Sequence, residues 1–304
     1  MRTGPDYIQF YPTLRCNQSC EFCFNKNMPR VPDMPFEHFR NMLRTALHAG
    51  VKTIDIMGGE PTLHHDIVAC IREARAHGLS VNISSNGTNP RILAEIMTVF
   101  PEVSVGISIN DRRAFEQLRE FMWHYKPLVK SVFTLQMDRE LTDALLLLNP
   151  KKYYLIYRDA LDRREFSSTV PFYEFVAAAE KRFEPNQAAM VFCSGFLPDS
   201  ENSPELAGVR CPAGTTKLGV LPDGSVYPCN LWFGQKEFLL GNILSDPFES
   251  IWNHRALSYF RSSSRSRCPK TTCELHSRCH GGCPAHSFTC AGALSAPDPR
   301  CGER

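Results

Sequence analysis

The 304-residue chain is 43% hydrophobic and 22% charged, with Lys+Arg 34 against Asp+Glu 32 and a formal charge of +2. These are ordinary globular values, and the length suffices for one large core or two domains. Without a basic run the chain carries no electrostatic footprint for nucleic acid or a membrane surface, and RSSSRSR at 261–267 reads as a solvated loop.

Residues 7 to about 184 alternate short β-rich runs with helical patterns. The predicted strands are YIQFY (7–11), TIDIM (53–57), VNISS (81–85), VSVGISI (103–109), SVFTLQM (131–137) and YYLIY (153–157). Between them lie helix-like stretches, two of which close on Gly50 and Gly78, the residue type that tolerates a left-handed C-terminal cap. Strands separated by helices imply parallel βαβ units, and six of them favour a partial barrel with chemistry at the C-terminal ends of the strands. After about residue 185 a Pro-, Ser- and Gly-rich stretch reads as a linker. Beyond it come a hairpin turning at Asp223-Gly224, one short helix (DPFESIWNHRALSYF) and a cysteine-dense tail with too little apolar periodicity to build a core from side chains alone. The expected division is therefore a barrel over 1–184, a linker over 185–210 and a small cysteine-rich module over 211–304.

MRTGPDYIQF lacks a signal-peptide core, and LLLL at 145–148 falls far short of the roughly 18 apolar residues of a spanning helix, so a cytoplasmic location is expected. There structural disulfides are disfavoured, and the 13 cysteines point instead to metal or catalytic use. Three of them, Cys16, Cys20 and Cys23, follow the first strand in a C-x3-C-x2-C spacing with Phe22 before the last. Thiolates suit zinc or iron–sulfur clusters, and three with no fourth nearby leave one position of a metal centre open. The competing reading is a zinc loop completed by a distant ligand.

After the second strand comes Gly58-Gly59-Glu60-Pro61. Together with the cysteine triad this resembles the radical SAM superfamily. The resemblance implies that Cys16, Cys20 and Cys23 hold three irons of a [4Fe–4S] cluster whose fourth iron is chelated by S-adenosylmethionine. A 5′-deoxyadenosyl radical then abstracts a hydrogen from substrate. It further implies that Phe22 packs near the adenine and that the Gly58-Gly59-Glu60 segment takes the methionine amino group. Glycines there let backbone approach without a Cβ clash. Ser85, Asn86, Ser108 and Asn110 are candidate contacts for carboxylate and ribose, the alternative being strand-end turn chemistry.

The tail, with Cys211, Gly224-x4-Cys229, C268-x4-C273-x5-C279-x3-C283 and a last Cys301, resembles the SPASM extension of that superfamily. The resemblance implies two auxiliary [4Fe–4S] clusters, three clusters in all. Cys211, Cys229 and Cys283 would hold the first and Cys268, Cys273, Cys279 and Cys301 the second; C-x4-C departs from the usual C-x2-C. Cys193 is the candidate fourth ligand of the first, and Cys290 competes with Cys301. A zinc ribbon using His276, His280 or His286 is the alternative. Asp159, after the sixth strand, is a candidate proton acceptor, against a surface pair with Arg158.

The expectation is thus a radical enzyme that modifies a ribosomal peptide or protein. Its alternatives are oxidation or epimerisation of a small molecule of sugar or aminocyclitol type, or a non-enzymatic zinc or electron-transfer protein. A flavodoxin or ferredoxin would supply electrons. With the barrel beginning at residue 7, peptide recognition is expected from a separate protein.

Overall fold

Six strand–helix units follow one another in the computed structural model, which describes residues 4–26, 28, 30–198, 201, 204–206, 208–262, 270–273 and 275–302. They are β1 (Tyr7–Phe10) with α1 (Phe36–His48), β2 (Thr53–Ile56) with α2 (Ile67–Ala76), and β3 (Ser80–Ser85) with α3 (Pro90–Val99). Then come β4 (Ser104–Ser108) with α4 (Arg112–Tyr125), β5 (Leu128–Val132) with α5 (Arg139–Leu147), and β6 (Lys152–Ile156) with α6 (Phe172–Arg182). A seventh strand, β7 (Ala189–Val191), pairs parallel to β6.

Period-two alternation in these strands separates two environments. Ile8, Phe10, Ile54, Ile56, Val81, Ile83, Val105 and Ile107 are buried in the core with the helices' apolar faces, such as Phe39, Met42 and Leu43 of α1. Their neighbours Gln9, Asp55, Asn82, Ser84 and Lys130 line a common cavity instead. That shared lumen marks the curl of the sheet into a partial barrel. Gly50 and Gly78 follow the last turns of α1 and α2 at φ +83° and +79°, as the helix-stop reading required. Asp111 and Asp138 cap α4 and α5 by accepting backbone N–H bonds from Ala114 and from Glu140 and Leu141. Cys70 is buried on α2, where burial pushes its thiol up.

The structure departs from expectation in several places. The fifth strand begins three residues early, at Leu128. Thr134 and Met137 close a turn (3.1 Å) that delivers Asp138 to its capping position, so TLQM is not extended. The sixth helix, with Phe172, Phe175 and Ala179 buried on one face, was not assigned from sequence. The presumed linker contains β7. Finally, the Asp223-Gly224 hairpin, β8 (Lys217–Val220) with β9 (Ser225–Tyr227), joins the barrel sheet: β8 pairs parallel to β1, Tyr7 opposite Lys217. With β10 (Gly241–Asn242) the sheet runs β10-β9-β8-β1-β2-β3-β4-β5-β6-β7.

The expected single helix over 246–260 is two short ones, α7 (Phe248–Trp252) and α8 (Ser258–Arg261), and α9 (Pro284–Ala291) follows the cysteine-rich loop. The tail does own an aromatic cluster. Trp232 packs on Phe238, Phe260 and Phe288 with ring centroids 4.0, 5.6 and 5.8 Å apart. No helix of the described residues is long and apolar enough to cross a membrane.

Candidate functional site

The loop after β1 carries the first three thiols, Cys16 exposed and Cys20 and Cys23 half-buried. Burial raises the Cys20 and Cys23 thiols, and their neighbouring cysteines raise them further. The turn at 58–60 is laid against the entry to this loop. Gly59 N–H donates to the Thr13 carbonyl (3.0 Å) and Glu60 N–H to that of Arg15 (2.7 Å). A Cβ on Gly59 would stand 2.1 Å from the Arg15 oxygen, and one on Gly58, at φ +135°, 2.4 Å from the Thr13 oxygen. The sequence reading assigned these glycines to the approach of a ligand; the approach seen here is of chain to chain.

Glu60 is fully buried. Its carboxylate accepts from Thr62 N–H (3.0 Å), Thr62 Oγ1 (2.7 Å), Ser85 Oγ (2.8 Å) and Asn86 N–H (2.7 Å). The side chain is thus a brace between the ends of β2 and β3, which leaves the turn's backbone to meet any amino group. Asn86 Nδ2 donates to Asn17 Oδ1 (3.0 Å) and lies 3.9 Å from Cys16 Sγ, while Asn17 Nδ2 donates to Thr88 Oγ1 (2.9 Å). Asn17 and Thr88 were not singled out in sequence. Asn110 Oδ1 accepts from Val132 N–H (2.8 Å), extending the β4–β5 junction, and Ser108 ends β4 half-buried. Phe22 is half-buried in the loop; Phe24 is the aromatic from it that lines the barrel cavity.

That cavity, about 500 Å³, fills the lumen. Lys130 Nζ donates to Ser84 Oγ (2.5 Å), and its stem lies over Gly106, where a Cβ would be 2.4 Å from Lys130 Cε. Burial lowers this ammonium's pKa, and Asp55 counters part of the effect. Tyr7 Oη donates to Asp55 Oδ2 (2.6 Å).

Four cysteines distant in sequence, Cys193, Cys211, Cys229 and Cys283, line the same cavity. Cys211 and burial push the Cys193 thiol up, and Cys283 offsets part of the rise. Gly195 brings two of the segments together, since its carbonyl accepts from His280 and Gly282 N–H, both at 2.9 Å. A Cβ on Gly195 would meet the Gly282 oxygen at 2.1 Å. Arg210, buried beside Cys211, fixes the same loop by donating to the carbonyls of Gly281, Gly282 (2.9 Å), Leu294 and Ala296 (3.1 Å). Burial pushes the Cys229 thiol up to about 11, against the Lys217 ammonium. Burial in turn opposes the charge on Lys217, but Cys229, Cys193, Cys211 and Cys283 outweigh it and raise this pKa. Lys217 lines the cavity together with these four cysteines.

Cys273, Cys279 and Cys301 line a second cavity of about 20 Å³ with Lys270, whose Nζ is 4.0 Å from Cys301 Sγ. Cys290, the competitor of Cys301, lines neither cavity. Cys268 lies outside the described residues. Of the histidines in the zinc reading, His280 Nδ1 lies 2.7 Å from the Val209 carbonyl and His286 Nε2 accepts from Ala160 N–H (3.0 Å). Among the described residues no three His, Cys, Asp or Glu side chains are drawn together tightly enough for one metal ion. Sulfurs bound to separate irons of a cluster stand wider than the ~3.8 Å implied by ~2.3 Å bonds around one zinc.

Asp159 lines the main cavity but does not pair with Arg158. Its Oδ1 accepts from Arg300 Nη1 (3.0 Å) and lies 3.5 Å from His286 Nε2. Arg300 is itself buried, holds Asp298 through Nη2 (2.8 Å) and lies over the Tyr157 ring at 4.8 Å. Asp298 Oδ2 accepts from Cys283 N–H (2.9 Å). A buried ionic chain thus runs from the end of β6 to the cysteine-rich loop, through residues the sequence reading had passed over.

Residues 10–132 match the radical SAM superfamily, and residues 211–284 match an iron–sulfur cluster-binding domain, SPASM. Mycofactocin maturase MftC of Mycolicibacterium smegmatis is 25% identical over 99% of this chain and 83% of its own length. The PqqA peptide cyclase of Streptomyces rochei is 24% identical over 95% and 87%. Among solved structures, Streptococcus suis SuiB bound to S-adenosylmethionine superposes with a TM-score of 0.76 at 20% identity, covering 99% of this chain and 78% of that one. The same architecture, the cysteine loop braced at the ends of β2 and β3, and the matches along the chain agree: residues 10–132 are a radical SAM domain, and residues 211–284 after the barrel are a SPASM iron–sulfur cluster-binding domain.

Proposed function

We propose that the chain is a peptide maturase that uses S-adenosylmethionine and three [4Fe–4S] clusters. The observation that carries this reading is the single lumen. Phe24 of the cysteine loop lines it together with Cys193, Cys211, Cys229 and Cys283. The peptide substrate rests on relatives along nearly the whole chain that are named a maturase and a peptide cyclase.

The residues suit the groups. Cys16, Cys20 and Cys23 supply soft donors for three irons on a braced loop. The four lumen cysteines would hold the second cluster, and Cys273, Cys279, Cys301 and Cys268 the third. Bound together, S-adenosylmethionine and the first cluster supply one-electron, hydrogen-abstracting chemistry. The chain's part is to aim and to shelter it. Gly58 and Gly59 let the turn seat against the loop, Asn86 and Asn17 tie that loop to β3, and the lumen, walled by Phe24, Ile83, Ile156 and Trp232 as well as by Asp55, Asn82 and Lys130, would admit a substrate group while limiting water. Ser85, Ser108 and Asn110 are assigned to positioning at the strand ends, Phe22 to the adenine face, and Asp159 to accepting a proton on the cavity wall.

A small-molecule substrate is the second reading, since about 500 Å³ lies within the usual range for such ligands. In either case a low-potential flavodoxin or ferredoxin in the cytoplasm would supply the electron, and a separate protein would present a peptide. The test is anaerobic reconstitution, expected to yield about 12 irons per chain and 5′-deoxyadenosine on reduction, followed by mass analysis of candidate peptides. Zinc in place of iron would overturn the enzymatic reading. Turnover of a sugar-type molecule with no peptide modified would replace its substrate.

A further inference from the structure

Lys130 stands in the middle of β5 between Val129 and Ser131, both buried, and lines the lumen. Two neighbouring strands prepare its place. β4 carries Gly106 where the lysine stem crosses, and a Cβ there would stand 2.4 Å from Cε and 2.9 Å from Nζ. β3 offers Ser84 Oγ, which accepts from Nζ at 2.5 Å. That bond is made to a neutral group and leaves two of the three ammonium hydrogens unused. Asp55 on β2 is the acidic side chain whose charge reaches Lys130, but no ion pair joins the two among the described residues. Asp55 Oδ2 is instead held by Tyr7 Oη (2.6 Å).

Lysine is rarely withdrawn from water without a charged partner, and burial works against this ammonium. The lumen's other lysine differs. Lys217 lines it with Cys193, Cys211, Cys229 and Cys283, whose charge raises its pKa. Lys130 thus combines a fixed stem with spare donors, in the wall of a cavity of about 500 Å³.

We propose that Lys130 is a specificity-determining residue that receives a carboxylate of the substrate in the lumen. The inference deepens the proposed function and rests on it in taking the lumen as the substrate's place. In a peptide the carboxylate is either an acidic side chain or the C-terminus. Both present two acceptor oxygens to the unused ammonium hydrogens, where low local dielectric strengthens a charge-assisted bond. Gly106 acquires a reason as well, since any side chain there would push the ammonium out of place.

The test is equilibrium dialysis of the reconstituted full chain, with S-adenosylmethionine bound, against three radiolabelled probes of similar shape. N-acetylglutamate N-methylamide carries only a side-chain carboxylate, N-acetylglutamine only a terminal one, and N-acetylglutamine N-methylamide neither. The expected result is one charged probe bound at least about tenfold more tightly than the neutral one; which of the two it is identifies the source. At equal iron content that preference should vanish in Lys130→Met, which keeps the stem over Gly106, and weaken in Gly106→Ala, which keeps the lysine. Equal binding of all three probes by the unsubstituted chain, binding of none, or a preference that survives Lys130→Met overturns the proposal.

Chemical denaturation separates this role from a structural one. A cation kept for binding weakens the fold, so Lys130→Met should be at least as stable as the unsubstituted chain. A clear loss of stability would make the lysine a strut of the barrel and overturn its assignment. The maturase reading has its own readouts, 5′-deoxyadenosine and a modified peptide. If both appear and no carboxylate probe is preferred, the inference about Lys130 alone fails; if neither appears, the maturase reading fails whatever the probes do.

Discussion

The Glu60 carboxylate and the Asn86 backbone amide meet at 2.7 Å across the ends of β2 and β3, with Ser85 Oγ on the other carboxylate oxygen at 2.8 Å. Glu60→Ala would leave several buried donors unpaired at about 1–3 kcal/mol each. The expected result is several kcal/mol of lost stability, measured by chemical denaturation, together with loss of S-adenosylmethionine cleavage. Glu60→Gln, which keeps the shape and half the acceptors, should be milder. Equal stability of Glu60→Ala and the unsubstituted chain would contradict the bracing role.

Gly59→Ala tests the contact between that turn and the cysteine loop. The added carbon would stand 2.1 Å from a backbone oxygen, which no side-chain rotation relieves. We expect cleavage of S-adenosylmethionine to fall by at least about tenfold while about eight auxiliary irons remain bound. Full activity would show that the loop can move aside.

Cys193 and Cys290 make a matched pair, both half-buried, of which only Cys193 lines the main cavity. Iron analysis after reconstitution should show Cys193→Ala losing about four irons and Cys290→Ala losing none. The reverse pattern would exchange their roles.

Acid should loosen the tail through Asp298. Burial opposes its charge, but the Arg300 guanidinium outweighs burial and holds the carboxyl below its usual range. With the folded value depressed, the stabilisation is complete above the unfolded value of about 3.9 and is lost as pH falls through the folded one. Asp298→Asn should start about 3–5 kcal/mol less stable and show a flatter decline between about pH 5 and pH 3. Parallel declines, followed by circular dichroism melts, would remove Asp298 from the acid response.

The chemistry was far more legible in the sequence than its supports. Cys16, Cys20, Cys23 and the Gly58–Pro61 turn stand out because ligand spacing is local, and the six βα units because strand and helix periods differ. Glu60 was read as a ligand contact since its four partners lie as far away as Asn86 and only the fold assembles them. Arg210, Asp298 and Arg300 carried no signal: a buried arginine is spelled like an exposed one, and its acceptors are mostly carbonyls of a remote loop. Cys193 was chosen by position, whereas the Gly195 carbonyl that draws its segment to Cys283 is visible only in the hydrogen bonds. α6 was legible, with apolar residues at 172, 175 and 179, and was missed.

The parallel pairing of β1 with β8 has a consequence for biosynthesis. Tyr7 leaves the ribosome roughly 200 residues before Lys217, its partner across that edge. At about 5–20 residues per second, the first strand waits some 10–40 s with one edge bare. The lumen is completed only when the segment bearing Cys211 and Cys229 arrives, so a chain halted near residue 210 would present that bare edge to its neighbours. Low expression temperature and early supply of iron should therefore favour whole molecules over aggregates.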